Sequence, residues 1–99
     1  MTQNLKEKAL LAAKALAGRK GMDIVILEVG EQTIIADYFV ICSGTSNTHV
    51  KTLADELEMK MGEAGYPKIR MEGYQEGRWI VVDFGDILVH VFHKDEREY

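Results

Sequence analysis

Glu72-Gly73-Tyr74-Gln75-Glu76-Gly77-Arg78-Trp79-Ile80-Val81-Val82-Asp83-Phe84-Gly85-Asp86-Ile87-Leu88-Val89-His90 is the stretch on which the fold turns. Two apolar runs, 78–83 and 87–92, flank Phe84-Gly85, and a carboxylate stands at each shoulder, Asp83 and Asp86. Such a pair of runs about a glycine predicts a β-hairpin. Side chains alternate along a strand, and a two-residue loop keeps the strands in step, so Trp79, Val81 and His90 are expected on one face. An indole, an imidazole and two acids on a rigid hairpin pose the functional question: recognition surface, catalytic cluster or half-buried sheet.

Upstream, Tyr66-Pro67 forces an extended entry into a short strand over 68–71. Before it, Val50, Leu53, Ala54, Leu57 and Met61 mark one face of a helix that Thr45 and Ser46 are suited to cap and that stops near 62–65. Residues 38–42 form another strand. Residues 23–29, with Ile24-Val25-Ile26-Leu27 between Gly21 and Gly30, read as a largely buried strand that turns at Gly30-Glu31-Gln32 to pair antiparallel with it. Leu5, Ala9, Ala12, Ala13 and Leu16 make a one-faced helical stripe closed by Gly18. The order helix, strand, strand, helix, strand, strand, strand predicts a two-layer α/β domain, a mixed sheet of about five strands with helices packed on it.

Ninety-nine residues form a single domain spanning 1–99. No apolar run approaches the roughly 20 residues of a membrane-spanning helix. The first eight residues mix acid and amide groups into an amphipathic pattern, unlike a signal or transit peptide, so a cytoplasmic location is expected. Cys42 is the sole cysteine, which removes any intrachain disulfide or thiolate metal cage; its apolar neighbours predict a buried small hydrophobe. The net charge of −4 and the scatter of Lys and Arg among more numerous acids disfavour a phosphate grip, leaving at most minor contact with RNA. A basic protein surface is the complementary partner.

Ser43-Gly44-Thr45-Ser46 can cradle a phosphate at a helix N-terminus, but the same residues are what a strand-to-helix turn needs for capping, and capping is favoured. His90 and His93 fall on opposite faces of a strand and His49 in the first turn of a helix, so no metal set converges. Asp83 and Asp86 read first as turn residues, and no nucleophile stands beside a base. No catalytic residue, cofactor or metal is therefore expected. Trp79, next to Arg78 and near Tyr74, has the composition of a protein-binding hot spot, with a core placement equally open.

Together, Asp37-Tyr38-Phe39-Val40-Ile41-Cys42-Ser43-Gly44-Thr45-Ser46, Ala64-Gly65, Glu72-Gly73, the run from Trp79 to Asp86, Val89-His90-Val91-Phe92, Arg97 and Tyr99 resemble the ribosomal silencing factor family, also called the Iojap family, over residues 5–99. The resemblance implies a non-enzymatic translation factor. Such a factor binds the large ribosomal subunit through its L-fourteen type protein and sterically prevents the small subunit from joining, repressing translation when nutrients are short. Organellar relatives imply the alternative of a large-subunit assembly factor. A nucleotidyltransferase-like topology is also implied, and with it an enzymatic alternative; Asp55 and Glu56, adjacent on a helix and pointing apart, do not supply that chemistry's metal-binding pair. Carried over residue by residue, the partner-binding set is Trp79, Asp83, Asp86 and His90, with Tyr74 and Arg97. The resemblance also implies a short aromatic, leucine-rich tail past Tyr99, which this chain is expected to lack. A homodimer is the remaining partner, expected if strand 87–92 lies at a sheet edge.

Overall fold

The structure, a computed structural model, describes residues 2–32 and 34–96, with side chains from residue 5 onward. Its elements are α1 (Thr2–Gly18), β1 (Met22–Glu28), β2 (Tyr38–Gly44), α2 (Asn47–Glu63), β3 (Arg70–Glu72), β4 (Trp79–Asp83), β5 (Ile87–His93) and a closing 3-10 turn, Lys94–Glu96. The order is the expected one. The five strands form one mixed sheet in the order β1-β2-β5-β4-β3, with β2 and β5 parallel and every other pair antiparallel.

Both helices lie on the same side of the sheet. Val50, Leu53, Ala54, Leu57 and Met61 of α2 are fully enclosed with Ala9, Ala12 and Leu16 of α1. They meet Val40 and Cys42 of β2, Ile80 and Val82 of β4, and Ile87, Val89 and Val91 of β5. Each fully buried aliphatic side chain contributes about 1.5–3 kcal/mol, so this side carries most of the fold's stability.

One open alternative, strand 87–92 as central or edge, is decided here, and one expectation, a largely buried strand over 23–29, is corrected. Strand 87–92 is no edge: β5 is flanked along its length by β2 and β4, so it has no free backbone to offer a second copy. The crossover through α2 and β3 carries the chain past that slot, and the hairpin returns to fill it. β1, in turn, is an edge strand rather than a largely buried one. Ile24 and Ile26 pack on the core, whereas Val25 and Leu27 are exposed. A continuous apolar run cannot say whether both faces of a strand are covered, and here only one is.

The turn into α2 is committed to capping. Ser46 is the N-cap, and its hydroxyl accepts the N–H of His49 at 3.0 Å. His49 Nδ1 lies 2.8 Å from the Thr45 nitrogen and Nε2 2.9 Å from the Arg19 carbonyl. A backbone N–H only donates, so Nδ1 keeps its lone pair and the ring's proton sits on Nε2, donating to Arg19. This imidazole ties the α1–β1 connection to the start of α2.

One charged residue lies within the core-facing stripe of α1. Lys8 is buried, donates from Nζ to the Phe84 carbonyl at 3.0 Å, stands 3.9 Å from an Asp86 oxygen and sits 5.0 Å over the Tyr66 ring. Its apolar stem packs while its ammonium holds the β4–β5 turn.

Candidate functional site

The hairpin register pairs Trp79 with Phe92, Val81 with His90 and Asp83 with Leu88. Phe84 N–H donates to the Ile87 carbonyl at 3.0 Å, so the turn proper is Gly85-Asp86, one residue later than expected. Gly85 has φ +92°, which strains any side chain, and its N–H donates to Asp83 Oδ1 at 2.8 Å. The ladder gains a pair, and the register that aligns Trp79, Val81 and His90 follows from it.

Those three residues belong to the side of the sheet that no helix among the described residues covers. Period-two alternation adds Leu88 and Phe92 from β5, Phe39 and Ile41 from β2, and Val25 and Leu27 from β1. The result is a continuous apolar surface across four strands. Its centre is aromatic: the Trp79 and Phe92 rings stack at 5.3 Å between centroids, His90 and Phe92 at 6.0 Å, Trp79 and His90 at 6.1 Å, and Phe39 meets His90 edge-on at 5.2 Å. Trp79 is 52% exposed, so it is not a core residue. Its indole N–H donates to His90 Nδ1 at 3.2 Å. Burial pushes the His90 imidazole below the ordinary histidine pKa.

Charge is confined to the rim. Arg70 lies 3.7 Å from Glu72 and 3.5 Å from Asp83, and Arg78 donates through Nε to Glu96 at 2.9 Å. The hydrogen bond to Glu96 raises the Arg78 pKa. Both cations are thus neutralised by acids, and the face they border is neutral and aromatic. Among the described residues, no three His, Cys, Asp or Glu side chains gather to hold a metal.

The expected site residues divide accordingly. Trp79 and His90 are in contact at the centre of the face. Asp83 shares the face but lies at the far end of β4, its carboxylate engaged by Gly85 and Arg70. Asp86 sits at the tip, where its side chain approaches Lys8 and its carbonyl accepts the N–H groups of Asp37 and Tyr38 at 2.8 and 3.2 Å. Tyr74 does not join the cluster: its hydroxyl donates to Asp55 of α2 at 2.9 Å, which raises the phenol pKa, and Lys51 lies over its ring. The bend begins at Gly73, φ +84°, where a Cβ would overlap the Trp79 carbonyl oxygen. Arg97 lies outside the described residues. Phe39 and Phe92 were not foreseen; Phe92, two residues after His90, carried the signal in its parity.

Comparisons with known proteins bear on the family. The family profile described as "Ribosomal silencing factor during starvation" matches residues 2–99. The chain is 43% identical to Ribosomal silencing factor RsfS of Bacillus subtilis over 96 residues, covering 97% of this chain and 81% of that protein. A crystal structure of a Chromobacterium violaceum protein superposes with a TM-score of 0.92 at 37% identity, covering 95% of this chain and 78% of that one. The mouse protein named "Mitochondrial assembly of ribosomal large subunit protein 1" is 34% identical over 80 residues, covering 77% of this chain and 35% of that protein. With the matching profile, the close relative and the shared fold, this chain belongs to the ribosomal silencing factor family.

Proposed function

We propose that the open face of the sheet docks on the large ribosomal subunit through its L-fourteen type protein and that the bound domain keeps the small subunit from joining, repressing translation in the cytoplasm. The observation that carries this reading is the uncovered aromatic surface around a half-exposed Trp79. Contiguous apolar area of this kind is a mark of protein recognition, and aromatic anchors dominate binding energy where they are desolvated. Asp83 and Asp86 at the tip, on a chain with net charge −4, complement a basic ribosomal protein and steer its approach. Blocking needs no reacting group. A folded body of 36 × 30 × 21 Å on a joining surface excludes the other subunit by volume.

The test is co-sedimentation with isolated large subunits followed by addition of small subunits. Binding accompanied by a reduced yield of joined ribosomes is the expected result. Large subunits that pair normally while saturated with the protein overturn the blocking role. An assembly role is the second reading, favoured by the printed name of the mouse relative. It expects depletion to accumulate incomplete large subunits, and normal maturation in depleted cells argues against it.

A further inference from the structure

We propose that His90 is a positioning residue for this face: its Nδ1 holds the Trp79 indole in one orientation before any partner arrives, and a second proton on the imidazole releases that anchor. The proposal rests on the open face being the docking surface.

An indole N–H can only donate, so the atom that receives it at 3.2 Å must present a lone pair. Nδ1 of His90 is therefore unprotonated, and the neutral ring carries its hydrogen on Nε2. That nitrogen is enclosed and has no hydrogen-bond partner among the described residues. A buried donor without an acceptor is a cost that leucine or phenylalanine at this position would not incur. Rotating the ring by half a turn about its bond to Cβ replaces Nδ1 with a carbon and forfeits the bond to Trp79. Phe39 edge-on and Phe92 stacked resist other orientations. The cost is thus tied to one gain, an acceptor for the indole of a residue that is otherwise half in solvent. Ordering such a side chain in advance removes part of the entropy lost on binding.

The charge environment makes the catch one-way. The side chains facing His90 are Trp79 and Val81 from β4, Phe39 and Ile41 from β2, and Leu88 and Phe92 from β5, none of them ionised at neutral pH. The nearest charged groups on the face are Glu72, beyond Val81 in the same cross-strand row, and the Asp83–Arg70 pair in the next. Glu72 and Asp83 both approach Arg70. Among the described residues no carboxylate adjoins the ring, and burial disfavours its charged form. Protonation turns Nδ1 into a donor facing a donor. The folded-state pKa lies below the unfolded value, so the restraint is intact above the ordinary histidine value of 6.5 and is lost as pH falls through the lowered pKa.

The test compares wild type with His90→Leu, which fills the space without an acceptor, and His90→Asn, whose amide oxygen replaces Nδ1. In the free folded protein, nuclear magnetic resonance of the Trp79 indole N–H and the His90 ring nitrogens reads the catch directly. A hydrogen-bonded indole and an unprotonated Nδ1 are expected in wild type, with the indole signal freed in His90→Leu and kept in His90→Asn. Titration against isolated large subunits should show His90→Leu weakened about tenfold and His90→Asn within about threefold of wild type, the size of one hydrogen bond that pre-orders an anchor. Lowering the pH from about 7.5 through the lowered His90 pKa should weaken wild type more than His90→Asn, because the asparagine amide does not titrate. An unchanged indole signal in His90→Leu, equal losses in both variants, or identical pH profiles overturn the proposal. Wild-type protein that ignores large subunits while its indole remains held sinks the docking reading and leaves the positioning role supported.

Discussion

The two sides of the one sheet are written with similar letters and serve opposite ends. Along β5, Ile87, Val89 and Val91 are sealed under the helices, while Leu88, His90 and Phe92, each one residue away, remain partly open. Along β4, Ile80 and Val82 are sealed while Trp79 stands out. The covered side holds small, branched, featureless side chains that pack; the open side holds rings, with an indole N–H and an imidazole nitrogen set between them. Where apolar residues are meant only to be buried, nothing directional is needed. Where they stay open, direction is built in.

The sharpest way to break this contrast is to cut into the covered side. Leu57→Ala should destabilise the domain by about 3 kcal/mol, read from urea unfolding, because it leaves a cavity among residues that cannot collapse around it. Trp79→Ala should do the reverse, weakening association with large subunits by about 2 kcal/mol in a binding titration while the unfolding midpoint hardly moves. If Trp79→Ala unfolds the domain instead, the open side is structural and the distinction fails. The smallest effect belongs to the residue that joins the two sides. Lys8→Met keeps the packed stem but removes the donor to the Phe84 carbonyl, and should cost about 1 kcal/mol of stability. A loss of binding larger than the loss of stability would show that the tip must be held for docking.

Much of this was legible in the chain. The α2 stripe from Val50 to Met61, the cap at Ser46 and the hairpin about Gly85 are local patterns whose physical causes act within a few residues, and all three are found. Placing Trp79 and His90 on one face needed only parity. What could not be read is which side the helices cover and how the two strand pairs join into one sheet. β5 lies beside β2 because of a crossover that no short window contains, and the exposure of Val25 and Leu27 follows from helices that are distant in sequence. The set carried over from the family was split for the same reason. Tyr74 leaves with α2, and the two acids spend their bonds on the turn and its neighbours, while Phe39 joins the face from a strand far upstream.

The placement of β5 has a consequence for the birth of the molecule. The strand furthest along the chain occupies the middle of the sheet and supplies both edges that β2 and β4 need. Until that segment emerges during synthesis, β2 has only an edge neighbour, β1, and the hairpin face does not exist. Closure therefore waits on contacts between distant parts of the chain, the slow kind. The open face, which β5 completes, is thereby among the last parts of the described fold to form.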